Sequence, residues 1–164
     1  MAEVIIHDIQ ESDYSDIVDL NASEVQYTNV MDIDRVNYLD SLSTYHKVAV
    51  LNGRVVAFLL AMKDHCQYQN DNFNWFSLRY KEFLYIDRIV VGRSFQGHKI
   101  GSLLYEDIFN YARAEKIPVI TCEINIVPPN ELSLAFHAKH GFREVGTQWI
   151  VNGQKQVSMQ AAKL

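Results

Sequence analysis

Apolar residues change their spacing along this chain, and each change marks an element. Val4 to Ile9 reads as a strand. Ser12 and Asp13 cap a helix that turns Ile17, Val18 and Leu20 inward, and a second helix starts at Asp32 with Ile33, Val36, Leu39 and Leu42. The link between them, residues 21–31, is polar with Val25 and Tyr27 embedded. Lys47–Leu51 and Val55–Met62 flank Asn52-Gly53, a dipeptide suited to a type I′ hairpin turn. Residues 65–80 place Tyr68, Phe73, Trp75, Phe76 and Tyr80 among Asn, Asp and Gln, with no regular period.

The pattern then sharpens. Leu84, Ile86, Ile89, Val90 and Val91 form a buried, β-branched strand, residues 92–98 a polar turn, and Ile100, Leu103, Leu104, Ile108 and Tyr111 a helical face. A strand over Val119–Asn125, a helix over Asn130–His140, and two strands over Phe142–Val151 and Gln154–Gln160 complete the chain, the last two joined by Asn152-Gly153. The element order is β α α β β β α β α β β.

Composition narrows the class. A chain of 164 residues with 48% apolar positions is read as one domain, 1–164, with a real core. A net charge of −5 gives no basic face for nucleic acid, and no apolar run reaches membrane-spanning length. Val4-Ile5-Ile6 is too short for a secretory signal. Cys66 and Cys122 have no metal-ligand spacing, and Cys122 reads as a reduced core thiol. A cytoplasmic location is expected. His137 and His140 lie three apart on a helix, but no third ligand follows at a useful spacing, so no metal is expected.

The most informative segment is Gln96-Gly97-His98-Lys99-Ile100-Gly101-Ser102, between the signature strand and its helix. A helix N-terminus presents unpaired N–H donors and the positive end of the dipole, which suits a diphosphate. Gly101 allows close approach of phosphate to backbone. Set after IDRIVV, the segment resembles the acetyl-CoA signature of the GNAT superfamily of N-acetyltransferases: Gln or Arg, two residues, Gly, one residue, then Gly or Ala. Gln96 and Gly101 match, and Lys99 stands where the family usually has its first Gly. Downstream, Asn130 followed by Ala135-Phe136-His137-Ala138-Lys139-His140-Gly141-Phe142 resembles the family's Asn…Ala-Phe-Tyr-x-Lys-x-Gly-Phe segment, with His137 at the usual Tyr position.

The resemblance implies an α/β fold with a mixed, mostly antiparallel sheet of about seven strands and helices on both faces. It implies that the fourth and fifth strands splay, with the pantetheine arm of acetyl-CoA between them. It further implies that backbone groups of Ile89, Val90 and Val91 pair with that arm, that residues 96–102 hold the diphosphate, and that Asn130, Phe136 and His137 lie beside CoA. The partners would be acetyl-CoA and an amine acceptor, on a monomer or homodimer.

Acetyl transfer needs a base for the amine, donors for the carbonyl oxygen, a proton for the thiolate, and two reactants held together; the last alone supplies roughly 7–11 kcal/mol in well-oriented systems. For the thiolate acid the candidate is His137, which alternatively packs beside CoA. For the base the candidates are Asp87 and Glu123; Asp87 alternatively pairs with Arg88 or Arg79, and Glu123 with a basic residue across the sheet. Tyr85 shares a strand face with Asp87 by period-two alternation and is a further candidate for the acceptor site. So is Trp75, whose neighbouring aromatics form a cage for the acceptor, a core, or a dimer contact. Asn21 and Glu24 border the acceptor side in this fold, or are ordinary helix-end polar residues. Asn130 binds CoA or caps the helix behind it. A non-catalytic acyl-CoA sensor on the same fold is the competing class. A nucleotide-binding loop of the Gly-Lys-Ser/Thr type is absent.

Overall fold

The two Asn-Gly pairs bend the chain back as their chemistry dictates. Asn52 and Gly53 have φ of 52° and 76°, and Asn152 and Gly153 of 53° and 81°, the left-handed values that a tight hairpin demands. A computed structural model describes residues 2–24 and 29–164; Val25 and Tyr27 lie outside the described residues. Its strands are β1 (Val4–Asp8), β2 (Tyr45–Leu51), β3 (Arg54–Lys63), β4 (Leu84–Val91), β5 (Val119–Val127), β6 (Arg143–Ile150) and β7 (Lys155–Lys163). Its helices are α1 (Tyr14–Ala22), α2 (Ile33–Leu42), α3 (Asp71–Ser77), α4 (Ile100–Ala114) and α5 (Glu131–Lys139). The strands form one seven-stranded sheet in the order β1-β2-β3-β4-β5-β7-β6. The β1–β2, β2–β3, β5–β7 and β6–β7 pairs are antiparallel and β4–β5 is parallel, so the sheet is mixed as expected.

The chain forms two compact units, Met1–Met62 with Ile86–Ile108, and Lys63–Tyr85 with Phe109–Leu164. In the first, Asp32 caps α2 by accepting from the Arg35 N–H at 2.7 Å, as the sequence predicts. Before α1 a short 3-10 turn intervenes at Glu11–Asp13, where the Asp13 carboxylate accepts from the Gln10 N–H at 2.8 Å. Adjacent strand residues point to opposite faces. The Tyr45 hydroxyl donates to Asp107 of α4 at 2.6 Å, whereas His46 Nδ1 meets Asp40 of α2 at 2.9 Å. Helices α2 and α4 therefore cover opposite faces of this unit's strands. Burial and the Asp107 bond push the Tyr45 hydroxyl far above its ordinary pKa.

In the second unit, β5 pairs with Leu84 and Tyr85 on one side and with β7 on the other. Cys122 lies in the middle of β5 and is buried; desolvation raises its thiol pKa well above the ordinary value. The observed order contains one element more than the pattern predicts, namely α3. It is only 7 residues long, too short to show a helical period. Its local cause is Asn70, whose side-chain oxygen accepts from the N–H groups of Asn72 and Phe73 at 3.0 Å each. Phe73 and Phe76, one turn apart, then face the core together with Asn72. Among the described residues no helix is long and apolar enough to cross a membrane.

Candidate functional site

The first unit builds the turn ahead of α4. Ile86 and Val90 of β4 are buried, while Ile89 and Val91 are half-buried. After β4 the chain makes a 3-10 turn at Arg93–Phe95 and enters α4 at Ile100, which is buried and anchors the helix start. Residues 96–99 between them are exposed. Gly97 has φ of 83° and Lys99 of 65°. Gln96 braces the turn by donating from Nε2 to the Val91 carbonyl at 3.1 Å and to Glu24 Oε1 at 3.4 Å. Arg93 adds a contact to Glu24 at 3.8 Å and donates to the Ser23 carbonyl at 3.3 Å. Glu24 thus ties the end of α1 to this turn.

Lys99 holds a left-handed conformation at the position where the resembled signature usually has Gly. A left-handed conformation costs a residue with a Cβ roughly 1–2 kcal/mol. Lys99→Gly should therefore raise stability by about 1 kcal/mol. Urea denaturation of both proteins checks this, and an unchanged midpoint would show that the turn carries no strain.

Asp87 and Arg88, neighbours on β4, form an ion pair with Arg88 Nε 2.7 Å from Asp87 Oδ2. Their side chains are only 4% and 8% exposed, so neither charge faces bulk water. Arg88 Nη1 also donates to Asn21 Oδ1 and to the Asn29 carbonyl, both at 3.1 Å, and Asn21 Nδ2 donates to that carbonyl at 2.7 Å. Asn21 is fully buried and serves this bracket. Sequence reasoning treated Arg88 only as an ion-pair partner; its other two partners come from a segment about sixty residues away, which no local pattern reveals.

The second unit holds the candidates Tyr85, Glu123, Trp75, Asn130 and His137. The Tyr85 hydroxyl donates to both oxygens of Glu123, each at 2.8 Å. The Tyr85 ring is fully buried, with ring centroids of Tyr68, Phe73 and Phe76 at 6.5, 5.6 and 5.9 Å. Glu123 itself is half-buried. The phenol thus fixes the orientation of a carboxylate of limited exposure. The Trp75 ring is stacked by the Arg79 guanidinium at 3.5 Å. Asn72 Oδ1 accepts from Gln148 Nε2 at 2.9 Å. This amide pair escaped the sequence reading, because its members are 76 residues apart.

On α5, Asn130 accepts from the Ser133 N–H at 3.2 Å and so caps the helix. His137 is buried with Nδ1 2.7 Å from the Ser133 carbonyl. Its ring meets Phe136 and Phe142 edge-on at 5.5 and 5.2 Å. Desolvation lowers its pKa from 6.5 to about 4, against the opposing Ser133 bond. This desolvation disfavours the imidazolium form that the thiolate-acid role would use. Among the described residues, no group of three or more His, Cys, Asp or Glu side chains could hold a metal ion.

A profile of the acetyltransferase (GNAT) family matches residues 5–142. The chain belongs to that family. A phosphinothricin N-acetyltransferase from Streptomyces coelicolor is 45% identical over 51 residues, which cover 31% of this chain and 29% of that protein. Ard1 from Thermoplasma volcanium has the same fold, with a TM-score of 0.80 at 14% identity over 98% of this chain and 97% of its own. A chain of the NatC complex bound to Gag peptide and CoA follows with a TM-score of 0.75 at 16% identity, each chain covered to 99%.

Proposed function

We propose that this GNAT protein transfers an acetyl group from acetyl-CoA to a primary amine by direct attack. The observation that carries the proposal is the exposed turn 96–99 between β4 and the buried start of α4. Its donors, the helix dipole and Gly97 suit a diphosphate, in line with the family resemblance. Residues 96–102 would hold that group, and the backbone of Ile89, Val90 and Val91 would pair with the pantetheine arm and the acetyl oxygen.

Glu123 takes the amine proton, and Tyr85 fixes the direction of its carboxylate. Asp87 is engaged by Arg88 and takes no proton in this scheme. His137, in the last turn of α5, packs against Phe136 and Phe142 and supplies no acid in this scheme. The thiolate needs little help, since a free thiol has a pKa of only about 8.5. The curated relative, named for acetylating phosphinothricin, is consistent with transfer to an amine.

Release of free thiol from acetyl-CoA in the presence of an amine is the deciding measurement. CoA binding without release for any amine would favour the non-catalytic sensor. The site itself is tested at Gly101, the second residue of α4. A valine there, β-branched at the helix start, should weaken CoA binding at least roughly tenfold, a loss of about 1.4 kcal/mol. Undiminished affinity by calorimetry, in a variant with normal circular dichroism, would move the diphosphate elsewhere.

A further inference from the structure

Helix α4 begins on a residue that its own chemistry disfavours. The Lys99 carbonyl accepts from the Leu103 N–H at 3.0 Å, so the helix ladder starts from Lys99. Asn, Asp, Ser and Thr suit such a position, because their side-chain oxygens accept from the open N–H groups of the first turn. An ammonium has donors only and caps nothing. It also sets a positive charge at the positive end of the helix dipole. The backbone adds a third conflict, since φ of 65° is a conformation that glycine enters freely and a residue with a Cβ does not. Lys116 is left-handed as well, at φ of 58°, but it lies past the other end of α4, where both its conformation and its charge suit the helix.

Among the described residues the Lys99 ammonium meets no hydrogen-bond or ion-pair partner, and the residue is exposed. Gln96 and Arg93 of the same turn are engaged, Gln96 with the Val91 carbonyl and Glu24, Arg93 with Glu24 and the Ser23 carbonyl. Local rules broken together, with no compensating contact inside the fold, mark a functional position. An anion seated at this helix start resolves two of the three conflicts. It accepts from the open N–H groups, meets the dipole with the right sign, and pairs with the ammonium.

We propose that the Lys99 ammonium pairs with a phosphate group of acetyl-CoA. This rests on the proposed binding of acetyl-CoA at residues 96–102. Backbone N–H groups of that turn can meet a diphosphate whatever residue stands at position 99. The ammonium is what this chain adds, as a point charge that any phosphate oxygen satisfies. CoA carries such oxygens on its diphosphate and on its 3′-phosphate.

The test is calorimetry of CoA and of 3′-dephospho-CoA with Lys99→Met and Lys99→Arg. Methionine keeps the Cβ and the unbranched stem and removes the charge; arginine keeps the charge. Lys99→Met should bind CoA about tenfold more weakly than the parent at low salt, and Lys99→Arg within about twofold of it. The deficit of Lys99→Met should close at high salt, which screens an exposed pair. A deficit that persists with 3′-dephospho-CoA puts the ammonium on the diphosphate, and one confined to CoA puts it on the 3′-phosphate; either upholds the pairing. Equal CoA affinity of Lys99→Met and parent at low salt, with normal circular dichroism, overturns the inference and leaves the acetyl-CoA reading standing. So does a deficit that Lys99→Arg shares or that salt leaves unchanged. A parent protein that binds no CoA overturns both.

Discussion

Glu123→Gln should lower kcat/KM with the best amine by roughly 10²–10⁴ at neutral pH, the range for loss of a general base. The substitution keeps the shape and one of the two oxygens that accept from the Tyr85 hydroxyl. What it removes is the ability to take a proton. The deficit should shrink at high pH, where more of the amine arrives unprotonated. Asp87→Asn should instead act mainly on stability, because its carboxylate is bound to Arg88 in a nearly buried pair. Equal rates for Glu123→Gln and parent from neutral to alkaline pH would remove Glu123 from the chemistry.

A second large effect concerns acid. His137 has a pKa of about 4 in the folded chain against an ordinary 6.5. Between those values the unfolded chain binds a proton that the folded chain refuses, so stability falls as pH falls. The contribution is fully present above pH 6.5 and is lost progressively on acidification towards pH 4, amounting to about 3 kcal/mol at most. His46, whose pKa is lowered chiefly by burial, adds in the same direction, with Asp40 opposing. His137→Phe keeps a ring between Phe136 and Phe142 and should lose markedly less stability between pH 7 and pH 4.5 in urea titrations. An identical loss in both proteins would assign the acid sensitivity to other groups.

Much of the fold was legible because its signals are local. Asp32 before an apolar face, two Asn-Gly turns and a β-branched run ahead of a glycine-bearing turn each fix structure within a few residues. Helix α3 was not, since two turns leave no period to detect and its docking depends on Gly146 and Gln148 far along the chain. The site divides in the same way. Glu123 is a candidate by its residue type and strand alone. That Tyr85 would aim at it required the pairing of β4 with β5. Alternation put Asp87 and Arg88 on opposite faces, yet the long Arg88 side chain folds back to its neighbour. The desolvation of His137 arises from packing against Phe142 and leaves no mark in the residue pattern.

Cys122 gives the second unit a built-in clock. It precedes Glu123 in the centre of β5, its sulfur on the opposite face of the strand, buried and held as the unreactive thiol. A thiol reagent therefore reaches it only when β5 leaves β7 or the core opens, and the labelling rate at fixed pH counts those events. Cys66 is half-buried and marks time on a faster scale, so its replacement by serine leaves one slow phase. Any ligand that settles on the Glu123 face should lengthen that phase in proportion to how tightly it binds the closed state. Acceptors could thus be ranked by a colour change before any acetyl group moves.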